Sequence, residues 1–192
     1  MKIFCIDIQS KNYDKIKKLN YIPVGLGEDS FSENWKRDNS GKNISKKNPY
    51  YGEYTFHYWL WKNELKDFKD NEWIGFCAYR RFWSNKKDKF SFNNLKDFLS
   101  EEPSEWDKYE VVLGQNMHLN WKFSKLVKHG LRSVISNPRL ILKKNWNIKF
   151  HFDSFHGFGN LDLAINLLDK LDREDFRNFT TSRNFYNRSS MF

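Results

Sequence analysis

NPYYGEYTFHYWLWKNELKDFKDNEWIGFCAYRRFW, residues 48–83, joins an aromatic helix to an apolar strand that ends in two arginines. One face of the predicted helix has the spacing of successive helical turns and carries Tyr54, Tyr58, Trp61 and Leu65. We expect that face to be buried. The other faces are also largely apolar, so the helix is expected to lie inside the protein. The unbroken apolar run 73–78 favours a central strand.

Two adjacent arginines follow the predicted strand, in the sequence Tyr79-Arg80-Arg81. In open α/β sheets, ligands bind in the crevice beyond the carboxyl ends of the strands. Neighbouring guanidinium groups present planar donor forks that suit phosphate. The motif therefore predicts a phosphate-binding site. The alternative is structural, with one arginine in solvent and the other ion-paired to Glu53.

The rest of the chain alternates predicted strands and helices, which is typical of an α/β domain with a mainly parallel sheet. Runs 2–8, 21–27 and 109–114 have strand composition, whereas 11–19, 92–99 and 161–171 have helical patterns. Residues 28–50 are polar and predict a loop; a loop of this length in a compact domain is usually functional or disordered. We expect residues 1–192 to form a single domain.

The residue types in this loop and in the helix and strand after it resemble the pattern of the bacterial DUF4422 family. That family occurs in capsular and exopolysaccharide gene clusters and is regarded as glycosyltransferase-like. One position departs from the pattern, because Ala78 stands where the family has a histidine. The matching residues are Asp38, Gly41, Asn43, Ile44, Ser45, Asn48, Tyr51, Glu53, Thr55, Tyr58, Trp59, Trp61, Lys62, Asn63, Gly75, Tyr79, Arg80, Arg81 and Phe82.

The resemblance implies a GT-A type of nucleotide-sugar fold. It also implies transfer of a sugar from a nucleotide-diphosphate donor to a cell-surface polysaccharide or a lipid-linked glycan. Family members continue past the point matched by residues 187–192, so we expect a C-terminally truncated form. The residues expected to bind the donor are Asp7, Asn43, Ser45, Asn48, Lys62, Tyr79, Arg80 and Arg81.

A base is needed to activate the acceptor hydroxyl, and Glu53, His156 and Asp153 are the candidates. The family has a histidine at the position of His156, which makes it the preferred active-site histidine. Asp7 lies near the end of the first strand, where such an enzyme holds ribose or base. The alternative for Asp7 is an exposed polar residue at a strand end.

The sequence has no clear signature of a metal site or of redox chemistry. No Asp-x-Asp motif occurs, and the group His151, Asp153 and His156 is too loose for a zinc signature. No metal ligands are predicted, and dependence on a divalent metal stays open. Cys5 and Cys77 lie in apolar runs without a ligand partner nearby, and we expect both to be buried thiols.

The formal charge of +9 comes mainly from lysines scattered along the chain. It is therefore weak evidence for a nucleic-acid partner, and none is predicted. No apolar stretch reaches the length of a membrane span and no secretory signal is present, which predicts a cytoplasmic protein. The basic, aromatic stretch 121–150 suggests peripheral contact with the inner membrane, although a solvated basic face is the commoner explanation.

Two other functions remain open. A non-catalytic glycan-binding module would use the surplus tryptophans as sugar platforms. A basic nucleic-acid-binding protein would lose affinity steeply with salt.

Overall fold

The computed structural model describes residues 1–85, 92, 94–114, 117–118, 135, 147–182 and 184–185. The chain divides into two compact units, one containing Met1–Gly114 and the other Gln115–Tyr186. Within the described residues, no helix is long and apolar enough to cross a membrane. The basic, aromatic stretch 121–150 lies outside the described residues, apart from Ile135 and residues 147–150.

The first unit contains a four-stranded parallel sheet with the order β3-β2-β1-β4. The strands are β1 (Lys2–Asp7), β2 (Ile22–Gly25), β3 (Lys36–Arg37) and β4 (Ile74–Ala78). The helices are α1 (Tyr13–Lys18), α2 (Asn48–Tyr51) and α3 (Tyr54–Asn63). This architecture confirms the expected α/β class with a parallel sheet flanked by helices.

Both faces of the sheet are covered, because successive side chains on β1 point to opposite sides. Phe4 and Ile6 pack on one side with the buried residues of α3, and Ile3 and Cys5 pack on the other side with those of α1. Cys5 and Cys77 are opposite each other in the register of β1 and β4. Both are free, buried thiols, as expected.

The predicted buried face of α3 was wrong. Tyr54 is 64% exposed, Trp61 58% and Leu65, just beyond the helix, 43%. The helix instead packs on the sheet through Thr55, Phe56, Trp59 and Leu60. The physical reason is that Phe56 and Trp59 meet the aromatic side chains of the sheet, with ring centroids of Phe56 and Phe4 5.3 Å apart. The helix thus has a solvent-exposed face and does not lie inside the protein.

The position of β4 also differs from expectation, because it is the end strand of the described sheet and not a central one. The segment after β4 folds back over it, and Trp83 Nε1 donates a hydrogen bond to the carbonyl of Phe76 at 3.0 Å. The strand predicted at 109–114 is absent, since these residues make no strand pairing and Val111 is 66% exposed. The helix predicted at 92–99 is reduced to a 3-10 turn, Leu95–Asp97, in its described part.

The described part of the second unit is mainly helical. It contains α4 (Ile148–His156), α5 (Asn160–Asn166) and α6 (Lys170–Thr181), with a short antiparallel pair between β5 (Met117–His118) and β6 (Asn184–Phe185). The helix predicted at 161–171 is split in two. The split occurs because the Asp169 carboxylate accepts hydrogen bonds from the backbone of Leu171 and Asp172 and begins a new helix.

Candidate active site

The register of the sheet brings several predicted residues to one edge. Asp7 is opposite Gly25, and Gly25 is opposite Arg37, at the carboxyl ends of β1, β2 and β3. On the other side of β1, the backbone N–H of Tyr79 donates to the carbonyl of Ile6 at 3.0 Å. The segments that follow β1, β3 and β4 therefore leave the sheet at the same edge, where α/β folds bind ligands.

Asp7 is buried at the end of β1, with 1% exposure, and is not the exposed polar residue of the alternative interpretation. One carboxylate oxygen accepts from the backbone N–H of Gln9 at 2.9 Å and the other from Asn12 Nδ2 at 2.7 Å. Burial raises the pKa of Asp7 above its ordinary value, and these hydrogen bonds oppose the rise.

A second buried carboxylate, Asp38, follows β3. Asp38 is 2% exposed, and its Oδ2 has no hydrogen-bond partner among the described residues. The neighbouring Arg37 donates to the carbonyl of Gly27 at 2.8 Å, and its guanidinium carbon lies 4.5 Å from the ring centroid of Phe31. Burying a carboxylate without full hydrogen bonding is costly, which makes Asp38 a candidate for contact with a ligand donor group.

Sequence reasoning included Asp38 in the family pattern but not in the site. A two-residue strand is too short to show an alternating pattern, so β3 was included in the predicted loop 28–50. The available clue was an acid directly after Trp35-Lys36-Arg37.

The two arginines lie at the end of β4, as predicted. Tyr79 and Arg80 form a tight turn closed by the backbone N–H of Arg81, which donates to the carbonyl of Ala78 at 2.8 Å. Arg80 is exposed, and its guanidinium carbon lies 4.8 Å from the ring centroid of Tyr79. Arg81 is partly buried. The pair therefore contains one exposed and one partly buried arginine.

Glu53 and His57 lie at the beginning of α3, one helical turn apart. The ring of His57 packs against Phe76 of β4, with centroids 4.5 Å apart. Burial lowers the pKa of His57, and the charge of Glu53 raises it in part. Ala78 follows Phe76 by two residues and so faces the same side of β4. Sequence analysis did not single out His57, although this residue places an imidazole on that side of the strand.

The side chains of the loop residues expected to bind the donor form hydrogen bonds mainly within the loop and with the residues directly after it. Asn43 Nδ2 donates to the carbonyls of Ser40 and Gly41, while Asn43 Oδ1 accepts from the backbone and hydroxyl of Ser45. Asn48 Nδ2 donates to the carbonyl of Gly52 and to the hydroxyl of Thr55. These hydrogen bonds stabilise the loop geometry, and a direct role in donor binding stays a prediction.

Two residues of α3 attach this loop to the helix. Trp59 Nε1 donates to the carbonyl of Ser40 at 2.9 Å. Asn63 accepts from the backbone N–H of Lys42 at 3.0 Å and donates to the carbonyl of the same residue at 2.9 Å. Gly41 has a φ of 53° and lies so close to the Asn63 amide that a Cβ atom would collide with it. The loop is therefore fixed to α3 without a ligand.

Lys62 lies in the last turn of α3. Its ammonium nitrogen lies 3.0 Å from the ring centroid of Trp61, which is a favourable contact between a cation and a ring face. A role of Lys62 in donor binding stays a prediction.

The remaining candidates belong to the second unit and are described by themselves. Asp153 is 4% exposed and forms an ion pair with Lys149 at 3.1 Å. Lys149 also pairs with Asp162 at 2.6 Å. His156 ends α4 and is exposed, with its ring 4.5 Å from that of Phe152. Asp153 thus has a structural partner, while the imidazole of His156 is accessible to solvent.

Among the described residues, no group of three or more His, Cys, Asp or Glu side chains is placed to hold a metal ion. A cavity of about 740 Å³ lies at the other end of the strands, where its lining includes Met1, Trp73 and Ile74. The candidate residues of the first unit lie away from this cavity, at the carboxyl ends of the strands.

The model of a domain of unknown function, DUF4422, matches residues 3–191. Among solved structures, the chain is similar to one described as the apo structure of the bifunctional glycosyltransferase WbbM, with 20% sequence identity and a TM-score of 0.55. The likeness covers 98% of this chain and 33% of that one, so the chain spans about a third of that protein. No curated protein matches. The structural likeness establishes a shared fold, and the family match establishes that this chain belongs to the DUF4422 family.

Proposed function

We propose that this protein transfers a sugar from a nucleotide-diphosphate donor to a glycan or lipid-linked acceptor. The observation that carries the proposal is the carboxyl edge of the sheet, where two buried carboxylates and an arginine pair lie at the ends of β1, β3 and β4. The similarity to a bifunctional glycosyltransferase supports the same assignment at the level of the fold.

The carboxylate and the arginines would contact different parts of the donor. Asp38 has a buried oxygen without a partner and would accept a hydrogen bond from a ribose hydroxyl or a base N–H. Arg80 and Arg81 would bind the diphosphate and stabilise the negative charge that develops on it as the glycosidic bond breaks. Asp7, with both oxygens already hydrogen-bonded, would hold the turn after β1 in place.

Acceptor activation requires a base near the reacting hydroxyl. Glu53 at the beginning of α3 is the candidate within the first unit, and the neutral imidazole of His57 lies one turn further along the same helix. His156 is the candidate in the second unit. Among Glu53, His57 and His156, the base is the residue whose replacement lowers kcat while donor affinity is retained.

Calorimetric titration with a panel of nucleotide sugars tests the proposal. We expect one nucleotide to bind and Asp38→Asn to weaken that binding, while Asn34→Ala, a substitution in an exposed turn, leaves it unchanged. Repeating the titration with a chelator and with added divalent cations decides metal dependence. Binding of oligosaccharide without any nucleotide would favour the glycan-binding module. Binding of nucleic acid with a steep salt dependence would favour the third function.

A further inference from the structure

The exposed face of α3 forms an aromatic surface that no described part of the chain covers. The preceding short helix α2 also exposes aromatic rings, with Tyr50 88% exposed and Tyr51 51% exposed. We define the aromatic stripe as Tyr50, Tyr51, Tyr54, Trp61 and Leu65. Groups of exposed apolar residues mark interaction surfaces.

The helix beneath the stripe is held firmly. Its opposite face buries Phe56, Trp59 and Leu60, which are at most 5% exposed. The part of the stripe on α3 is therefore fixed in position. Tyr54 and Trp61 lie about 10 Å apart along the helix axis. The exposed face of a helix suits a flat partner better than a small ligand.

The charges around the stripe are mostly positive. Five lysines occur between residues 42 and 67, against three acids, and one of these acids, Glu64, is ion-paired to Lys36. Two of the lysines lie against the aromatic rings, with Lys62 Nζ 3.0 Å from the ring centroid of Trp61 and Lys47 Nζ 5.9 Å from that of Tyr51. Aromatic residues with adjacent lysines are therefore the dominant chemistry of this surface.

We propose that the aromatic stripe docks on the surface of an anionic lipid bilayer. Tyrosine and tryptophan favour the boundary between head groups and acyl chains, and lysine stems lie along apolar surface while their ammonium groups reach the head groups. Every cation between residues 38 and 79 is a lysine. Interfaces between proteins are depleted in lysine and enriched in arginine, so this composition fits a lipid surface better than a second protein. The inference does not depend on the identity of the donor.

The test is co-sedimentation of the purified chain with phosphatidylcholine vesicles and with vesicles of an equal mixture of phosphatidylcholine and phosphatidylglycerol. We expect binding to the mixed vesicles only. The double variant Tyr54→Ala/Trp61→Ala should weaken binding by about tenfold or more, because it removes interfacial aromatic area. The variant Lys62→Glu/Lys66→Glu should weaken it by a similar factor through charge reversal, on the order of tenfold.

Matched controls separate the stripe from the overall charge. Tyr109→Ala removes another exposed aromatic ring that has a lysine, Lys108, 5.2 Å from its centroid. Lys17→Glu/Lys18→Glu makes the same charge change on α1. Both controls should bind the mixed vesicles like the parent chain, and circular dichroism should show every variant folded.

Three results would overturn the inference. They are failure of the parent chain to bind mixed vesicles, equal loss in the α1 control, and self-association without vesicles that Trp61→Ala abolishes. The last result would identify a second copy of the chain as the occupant. A stripe that binds neutral oligosaccharide and no vesicle would likewise refute a lipid partner.

Discussion

Replacement of Asn63 by Ala should release the loop that carries the family residues 38–48. The Asn63 amide makes two hydrogen bonds to the backbone of Lys42 and a third, at 2.8 Å, to the carbonyl of Trp59. A net hydrogen bond contributes about 0.5–1.5 kcal/mol, with exposed bonds at the lower end. Loss of the two loop contacts should therefore lower the local stability of the loop by about 1–2 kcal/mol.

Amide hydrogen exchange at Lys42 measures this effect directly, because its N–H donates to Asn63. An opening free energy lower by about 1.4 kcal/mol raises the exchange rate roughly tenfold. Asn34→Ala is the control, since Asn34 is exposed in a turn of the same polar segment. The free energy of unfolding, measured in urea, should fall less than the local change. Unchanged protection of Lys42 in Asn63→Ala would refute the proposed attachment of the loop to α3.

Four further substitutions test the candidate site. Arg80→Lys and Arg81→Lys keep the charge but lose the planar fork, so donor affinity should fall about tenfold at unchanged melting temperature, and equal calorimetric affinity would remove them from the site. Asp38→Asn removes a buried charge, so the free energy of unfolding should hold or rise at neutral pH while donor binding weakens; a large loss of stability in urea would contradict this. Because burial raises the pKa of Asp7 above its ordinary 3.8, the folded form keeps its proton to higher pH than the unfolded form. The contribution of Asp7 to stability should therefore fall as pH rises upward from 3.8, and Asp7→Asn should lack this dependence in urea titrations at several pH values.

Strands β1, β2 and β4 were predictable because they lie in apolar runs and the chain alternates strands with helices. The buried face of α3 was not, since Phe56 and Trp59 satisfy helical spacing as well as Tyr54 and Trp61 do. Because apolar residues lie on every side of the helix, the buried face is determined by the surface on which the helix packs. That surface lies far away in sequence. The ring of Phe4 makes that choice by packing against Phe56.

The same limit explains the other differences. A strand exists only when it pairs, and composition at 109–114 says nothing about whether a partner is present. Asp38 was visible in the family pattern, but its burial depends on the pairing of β3 with β2. The positions of Arg80 and Arg81 were predictable because they follow a strand directly, and no long-range choice intervenes.

The buried thiols of Cys5 and Cys77 allow the rate at which the core around them opens to be measured. They are the chain's only cysteines, and both are 0% exposed in the middle of the two adjacent strands β1 and β4. Burial raises the pKa of Cys77 well above its usual range, so the reactive thiolate is suppressed while the thiols stay covered. A thiol reagent under native conditions therefore labels the chain only when the packed face that covers them opens. Its labelling rate reports how often that opening occurs, with no introduced probe.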